Sequence, residues 1–324
     1  MRLAPPALLL VPALFALAAC RVERARSPVD SAAVAAAAAA ARAATLAGAP
    51  TKGTSVSGFK APESVRYDPE LDMLFVSNVN GDELAKDDNG FISRLRGDGT
   101  IDSLHFIAGG RGGVTLHSPH GSAIVGDTLW VADIDAMRAF DKRTGAPVAT
   151  VDLRKLGAVF LNDVAAGPDG ALYITDTGPD GKSTATQGNR IFRVGRDHRA
   201  SVALHSDSLQ SPNGITWDER GKRFIIVQWG GRRILAWHPG DAQPRTIGFG
   251  FAESDGVEEL ADGRLLFTSW ADSALIVHQG DEEIIVKGLP SPADFAVDTR
   301  RHRLAIPLME QDRIEFWDIP PLAP

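Results

Sequence analysis

Residues 162–176 read NDVAAGPDGALYITD, and this stretch holds the unit on which the rest of the chain is built. Two polar residues open a short apolar segment, Gly-Pro-Asp-Gly interrupts it, and a second apolar segment ends at an aspartate. Residues 213–228, NGITWDERGKRFIIVQ, follow the same order. Short apolar runs on either side of a Gly- and Asp-rich turn predict a pair of antiparallel strands.

The unit occurs six times after residue 54. Its first strands begin at residues 63, 120, 162, 213, 255 and 294, about 46 residues apart on average, and propeller blades repeat every ~40–50 residues. Each unit continues with a third and a fourth strand segment. The sixth unit lacks the fourth, because Pro320 and Pro321 stop the chain there. We therefore predict an all-β fold over residues 54–324: a six-bladed β-propeller of four-stranded antiparallel blades. The N-terminal strand Ser55–Lys60 should close the ring. Six tandem units argue against a β-sandwich.

The first 53 residues have a different composition. Residues 3–19 form an uncharged run with three prolines, shorter than the ~20 residues of a spanning helix. This pattern predicts a secretory signal peptide over residues 1–19. The run ends Leu17-Ala18-Ala19-Cys20, which resembles a bacterial lipoprotein signal. The alternative is an ordinary signal with a chance cysteine.

The lipoprotein resemblance implies cleavage before Cys20 and a lipid on its sulfur, which would bind the protein to a lipid membrane. Residues 20–53 are then an Ala-rich tether. Because Arg21 rather than Asp follows the cysteine, we expect the periplasmic face of the outer membrane in the bacterial cell envelope.

Charge and cysteine content exclude several classes of protein. Cys20 is the single cysteine of the chain, so a disulfide framework and a Cys-based zinc site are excluded. Residues 1–53 carry a net charge of +4 and residues 54–324 carry −11. An acidic body disfavours nucleic acid and favours cations or neutral small molecules. We expect a monomer.

Polar side chains stand at the start of each first strand, at one mouth of the predicted channel: Glu63, His120, Asn162, Asn213, Asp255 and Asp294. Carboxylate and amide oxygens are the ligands of hard cations, and the carboxylates would repel one another without one. The pattern predicts one divalent cation, Ca²⁺ first, with Zn²⁺ or Mn²⁺ as alternatives. The competing interpretation is that these residues cap strands or hold channel water.

Four motifs carry a family resemblance: Pro62-Glu63, Asn162-Asp163, Ser211-Pro212-Asn213-Gly214 and Asp255-Gly256. Their order and spacing are similar to those of the gluconolactonase/regucalcin (senescence marker protein) family, over residues 58–318. The resemblance implies a six-bladed propeller with one divalent metal that opens lactones. It implies that Glu63, Asn213 and Asp255 bind the metal. Asn162 would complete the metal shell or face substrate, and Asp255 would also be the general base.

Two features depart from that family. Phe160 stands where gluconolactonases tend to carry an arginine, which favours a more apolar pocket. Pro119-His120-Gly121 is similar to the histidine motif of the paraoxonases, so His120 is a second candidate general base; a turn histidine is the alternative. Trp229 and Asp294 are candidate substrate-binding residues, and Trp229 has inter-blade packing as its alternative role.

Two functions agree with these residues. The first is a metal-dependent hydrolase that opens a lactone or ester. The second is a non-catalytic propeller lipoprotein that binds a small ligand or an envelope protein, because propellers serve both uses. The sequence has no Gly-x-Ser-x-Gly, which disfavours a serine hydrolase.

Overall fold

The computed structural model describes residues 49–179 and 188–320. Within these residues the regular elements are β-strands and short 3-10 helices, among them Arg154–Leu156, Asp207–Leu209 and Met309–Gln311. No helix in this part of the chain is long and apolar enough to span a bilayer. The signal peptide, Cys20 and the tether up to residue 48 lie outside the described residues.

The strands form six four-stranded antiparallel sheets. In chain order they are β1 (Thr51–Ser57), β2 (Pro62–Asp68), β3 (Met73–Asn78), β4 (Phe91–Arg96), β5 (Ile101–Ala108), β6 (Pro119–Val125), β7 (Thr128–Asp133), β8 (Ala136–Asp141), β9 (Pro147–Asp152), β10 (Leu161–Ala166), β11 (Leu172–Asp176), β12 (Arg190–Val194), β13 (Ala200–His205), β14 (Pro212–Asp218), β15 (Arg223–Gln228), β16 (Arg233–Trp237), β17 (Arg245–Phe249), β18 (Ser254–Glu259), β19 (Leu265–Ser269), β20 (Ala274–His278), β21 (Glu282–Lys287), β22 (Ala296–Asp298), β23 (Arg303–Leu308) and β24 (Arg313–Asp318). Blades 1 to 5 take four consecutive strands each, from β2 onwards, and blade 6 takes β22–β24 with β1. The predicted six-bladed propeller is confirmed.

The ring closes through β1, which pairs antiparallel with β24. The predicted closure by an N-terminal strand is therefore confirmed, although the strand covers Thr51–Ser57 rather than Ser55–Lys60. Gly58 ends it with a φ of 112°, a conformation that favours glycine. Phe59 then turns into the core and is fully buried, so the chain leaves the sheet edge before Lys60.

The hydrophobic core lies between the blades. Six clusters are each shared by two neighbouring blades, around the whole ring. Between blades 3 and 4, for example, the ring of Tyr173 lies 4.3 Å from that of Phe224, and Phe224 stacks on Trp237 at 6.0 Å. Blades that bury apolar side chains on both faces explain why the second strands are continuous apolar runs.

The inner strands of all blades start at the same end of the central channel, which we call the upper mouth. Because successive strands are antiparallel, the β3–β4 and β11–β12 connections return to this end, and the β20–β21 turn lies at the opposite end, the lower mouth. The upper mouth therefore combines the strand starts with the longer loops, an arrangement in which loops can form the walls of a site.

Candidate metal and catalytic site

Five inner strands begin with an irregularity in strand pairing. The pairing breaks between Pro62 and Ser64 in blade 1, and the breaks in the next four blades lie at Pro119/Ser122, Leu161/Val164, Pro212/Ile215 and Ser254/Val257. Such bulges re-aim side chains and are common beside active sites. Each contains one predicted ring residue: Glu63, His120, Asn162, Asn213 or Asp255. The bulges therefore let these polar side chains leave the sheet and face the channel.

Glycine at the second bulge position lets the inner strands approach each other closely. A Cβ on Gly214 would lie 2.2 Å from the carbonyl oxygen of Asp255, and a Cβ on Gly256 would lie 2.7 Å from the Cα of Asp294. No side chain fits at such distances. In the recurrent Asn-Gly and Asp-Gly dipeptides, the first residue therefore directs a polar side chain into the channel. The glycine lets the backbone contact the next blade.

The bulged residues surround a cavity of about 130 Å³ at the upper mouth. Its lining consists of Glu63, Glu83, His120, Phe160, Asn162, Thr177, Asn213, Trp229, Asp255, Trp270 and Met309. The structure thus brings together five of the six predicted ring residues and the predicted wall residue Trp229. It does not place Asp294 in this lining; the Asp294 carboxylate instead accepts a hydrogen bond from Ser64 Oγ at 2.6 Å.

Four buried oxygens in this cavity have no hydrogen-bond partner: Glu63 Oε2, Asn162 Oδ1, Asn213 Oδ1 and Asp255 Oδ1. Buried polar atoms are normally paired, because an unpaired one costs about 1–3 kcal/mol. Hard cations take carboxylate and amide oxygens of this kind. The donor set therefore fits a divalent cation such as Ca²⁺.

Both amides are needed for that fit. Among residues 49–179 and 188–320, no group of three or more His, Cys, Asp and Glu side chains is arranged to hold a metal ion. Two carboxylates, Glu63 and Asp255, line the cavity beside Asn162 and Asn213. A set of neutral amides and two carboxylates suits Ca²⁺ better than Zn²⁺, which prefers nitrogen and sulfur ligands.

The carboxyl groups of the cavity have raised pKa values. Burial raises the pKa of Glu63 well above its usual value, and the carboxylates of Asp255 and Asp294 raise it further. Burial likewise raises the pKa of Asp255, with Asp163 as the next cause. A bound cation would lower these pKa values, because it stabilises the ionised forms.

His120 has a defined tautomer in this site. Its Nδ1 lies 2.9 Å from the carbonyl oxygen of Ser118, and a carbonyl only accepts, so Nδ1 carries the proton. The edge of the ring meets Phe160, with the centroids 4.8 Å apart. Burial lowers the pKa of His120, which keeps the imidazole neutral at pH 7 with a lone pair on Nε2. This is the form that a general base requires.

Carboxylates at the ends of second strands hold the backbone around the site. Asp133 Oδ1 accepts the backbone N–H groups of His117 and Ser118 at 2.9 and 2.8 Å, which fixes the carbonyl that orients His120. Asp176 Oδ1 accepts the N–H of Phe160 at 2.9 Å. These two aspartates support the site without lining its cavity.

Glu83 and Met309 were not predicted as site residues. Glu83 lies in the β3–β4 loop, and Asp88 holds that loop by accepting the N–H of Leu116 at 2.7 Å. Met309 belongs to the turn after β23. The position of the β3–β4 loop at the upper mouth could have indicated Glu83, whereas a lone methionine gives no such signal.

These features define a six-bladed β-propeller with an oxygen-lined site at one channel mouth. Residues 61–289 match the SMP-30/gluconolactonase/LRE-like region, so the chain belongs to the SMP-30/gluconolactonase/LRE-like family. Membership of this family suggests hydrolase activity of the lactonase type. Comparison with curated protein sequences found no match.

Solved structures share the fold at low sequence identity. A gluconolactonase from Xanthomonas campestris is 16% identical with a TM-score of 0.61, over 84% of this chain and 95% of that one. A luciferin-regenerating enzyme is 13% identical with a TM-score of 0.61, over 83% and 94%. The chain matched in a nidogen/laminin complex is 18% identical with a TM-score of 0.55, over 69% and 78%. At these identities the likeness shows the propeller fold alone.

Proposed function

We propose that the protein is a divalent-metal-dependent hydrolase, with Ca²⁺ as its metal, that opens a lactone or ester. The observation that carries this proposal is the convergence of four unpaired, buried oxygens on one cavity in a chain of the SMP-30/gluconolactonase/LRE-like family. Glu63, Asn162, Asn213 and Asp255, which carry these oxygens, would hold the cation. Its chemistry in such a site is to polarise a carbonyl and stabilise negative charge on the oxygen.

The remaining lining residues supply the other requirements of hydrolysis. Asp255 and His120 both face the cavity, and either can take the proton of an attacking water; neutral His120, with its free Nε2 lone pair, is suited to this at pH 7. Trp229 and Trp270 pack edge to face with their centroids 5.3 Å apart, and Phe160 also lines the cavity. These apolar walls suit the hydrocarbon or aryl part of a substrate.

The test begins with protein purified without chelator. We expect one bound Ca²⁺ per chain by metal analysis, and turnover of at least one member of a lactone and aryl-ester panel that EDTA abolishes. Asn213→Ala should lose the metal and the turnover. Gln279→Ala, an exposed amide in the turn at the lower mouth, is the matched control and should keep both.

Three results discriminate between the alternatives. A protein that binds no divalent ion and hydrolyses nothing in the panel would be a non-catalytic propeller that binds a small ligand or an envelope protein. Metal binding without turnover would indicate that the ion has a structural role only. To separate the two candidate bases, His120→Gln is compared with Asp255→Asn: His120 is the base if His120→Gln keeps the metal and loses turnover.

The membrane anchor is a separate proposal. We propose that Cys20 is lipidated and holds the propeller at the periplasmic face of the outer membrane. Cys20→Ser should abolish incorporation of labelled palmitate and release the protein from the membrane fraction. An unlabelled wild-type protein would show that the cysteine is not a lipid site.

A further inference from the structure

Among the described residues that line the cavity at the upper mouth, one buried hydrogen-bond donor has no partner: the indole N–H of Trp270. Trp270 directly follows β19. An indole nitrogen can donate a hydrogen bond but cannot accept one, and a buried tryptophan N–H usually has an acceptor. We therefore expect the missing acceptor to belong to a molecule that binds in the cavity.

The ring of Trp270 is fixed by its surroundings. The backbone N–H of Trp270 donates to the carbonyl oxygen of Glu253 at 3.0 Å. Its ring meets that of Trp229 edge to face, with the centroids 5.3 Å apart. The ring also packs against an apolar cluster of Val79, Ala293 and Met309. A donor on such a fixed ring is preorganised, because little freedom is lost when it bonds to a ligand.

The indole N–H of Trp270 lies beside the carboxyl group of Asp255. Burial raises the pKa of Asp255, and the nearby N–H opposes that rise. Neither Trp270 Nε1 nor Asp255 Oδ1 has a partner at hydrogen-bonding geometry, however. The N–H is therefore close to a candidate metal ligand and still free to bond to a second group. A substrate held at the candidate metal site would lie next to it.

A lactone or ester offers two oxygens to this site. Under the proposed function the carbonyl oxygen is the one that a cation polarises, so the alkoxy oxygen is left without a partner. During hydrolysis a water adds to the carbonyl carbon, and the bond from that carbon to the alkoxy oxygen breaks. The proton that the base took from the water ends on the alkoxy oxygen. Until that proton arrives the oxygen carries negative charge, which a nearby donor stabilises.

We propose that Trp270 is a catalytic residue whose indole N–H donates a hydrogen bond to the alkoxy oxygen of the substrate and stabilises the charge that forms there. The indole keeps its own proton, and the protonated base supplies the proton that the alkoxy oxygen receives. The site should therefore favour lactones and oxygen esters over thiolactones and thioesters, because sulfur is a weak acceptor. This inference rests on the proposed hydrolase function.

The test compares wild type with Trp270→Phe, which removes the N–H and keeps an aromatic ring. For alkyl esters and lactones, kcat/KM should fall about 10–100-fold, the range for a hydrogen bond to a charged group. For 4-nitrophenyl esters, whose ring spreads the charge of the leaving oxygen, the fall should be only about two- to threefold, as for a weak hydrogen bond. The preference for a lactone over the thiolactone of equal ring size should shrink as well.

Calorimetric titration with CaCl₂ gives a readout besides activity, and Trp270→Phe should bind Ca²⁺ with the wild-type Kd. Trp317→Phe is the matched control, because Trp317 Nε1 is also buried without a partner but lies on β24 and does not line the cavity. This control should keep the wild-type rates and the wild-type dependence on the leaving group.

The dependence on the leaving group decides the outcome. An equal loss with all esters would place the N–H on the carbonyl oxygen, and weaker Ca²⁺ binding would show that it serves Asp255; either result, or no loss at all, overturns the inference. If Trp270→Phe does not fold, the benzothiophene analogue of tryptophan is incorporated at position 270, because it keeps both rings and lacks the N–H. The same selective loss is expected of it, and a uniform loss or none overturns the inference.

This inference and the proposed function fail in different ways. A wild-type protein that binds Ca²⁺ and hydrolyses esters, beside a Trp270→Phe protein without the selective loss, would refute the role of Trp270 and keep the hydrolase. A wild-type protein that hydrolyses no lactone or ester would refute both.

Discussion

Replacing Glu63 by glutamine should separate the stability of the propeller from its response to metal. Glu63 is 3% exposed, its Oε2 has no hydrogen-bond partner, and burial raises its pKa. In the absence of metal this carboxylate destabilises the fold at neutral pH. Glu63→Gln keeps the shape and removes the charge, so the metal-free variant should be more stable by about 1–2 kcal/mol, within the cost of an unsatisfied buried group.

Calcium should reverse that order. At a Ca²⁺ concentration of about 100 times the wild-type Kd, binding adds about 2.7 kcal/mol to the stability of the native state. For a domain of this size each kcal/mol raises the Tm by roughly 2–4 °C, so the wild-type Tm should rise by roughly 5–10 °C. If the variant binds about 100-fold more weakly, its gain is about 0.4 kcal/mol, or roughly 1 °C.

The assay is scanning calorimetry at pH 7.5 with EDTA and then with CaCl₂. Glu259→Gln is the control, since Glu259 ends the same inner strand as Asp255 and its pKa is also raised by burial, yet it does not line the upper cavity. This control should keep the wild-type response to Ca²⁺. The reasoning is refuted if Glu63→Gln melts below wild type in EDTA and gains as much from CaCl₂ as wild type does.

Three further predictions concern the scaffold. Gly214→Ala should cost about 1–3 kcal/mol by urea denaturation, as overpacking does, because the new Cβ would meet a backbone oxygen of Asp255 at 2.2 Å; an unchanged midpoint would contradict the close approach. Deleting residues 49–57 removes β1 and leaves β24 as an open edge, so the Tm should fall and the protein should aggregate on heating. The hydrogen bond from Arg301 lowers the pKa of Asp72, so the pair stabilises the fold above the ordinary aspartate pKa of about 4 and that stability is lost as the pH falls through the lower folded value. Asp72→Asn should therefore be less stable than wild type by about 1 kcal/mol at pH 7, and the difference should narrow at pH 3.

The blade architecture could be predicted because each strand carries its own local signal. Apolar runs bounded by Gly and Asp turns place the second strands where the structure has them: the runs that end at Asp176 and Gln228 are β11 and β15. The closing strand was harder to place. Thr51–Ser57 is exposed almost throughout, so no apolar periodicity marks it, and its pairing comes from the free edge of β24, which is distant in sequence.

Most of the candidate site could be predicted because the polar residues recur at equivalent positions of the repeats. Aligning the repeats places the polar residues at equivalent positions, and five of the six do line one cavity. The sixth, Asp294, lies one position too far along the strand. Pro292 pairs with Leu308 and Ala296 with Ala305, which is the same one-residue shift as in the other blades, so the position equivalent to Glu63 is taken by Ala293. The position of a bulge is a property of the pairing between strands, so the spacing of the repeats does not fix it to within one residue.

Arg66 is a second residue whose role the sequence alone does not reveal. In sequence it is one charged residue within ESVRYD, where an exposed position on an ordinary strand is the default interpretation. Its significance comes from Ser122, Asp163, Glu258 and Asp294, which are separated from it by 56 to 228 residues in the chain and meet it only once the ring is closed. Closure by β1 is therefore a condition for the site as well as for stability. A variant that opens the ring should loosen the carboxylates around Arg66 and the bulges above them together, because both depend on blades 1 and 6 staying in contact.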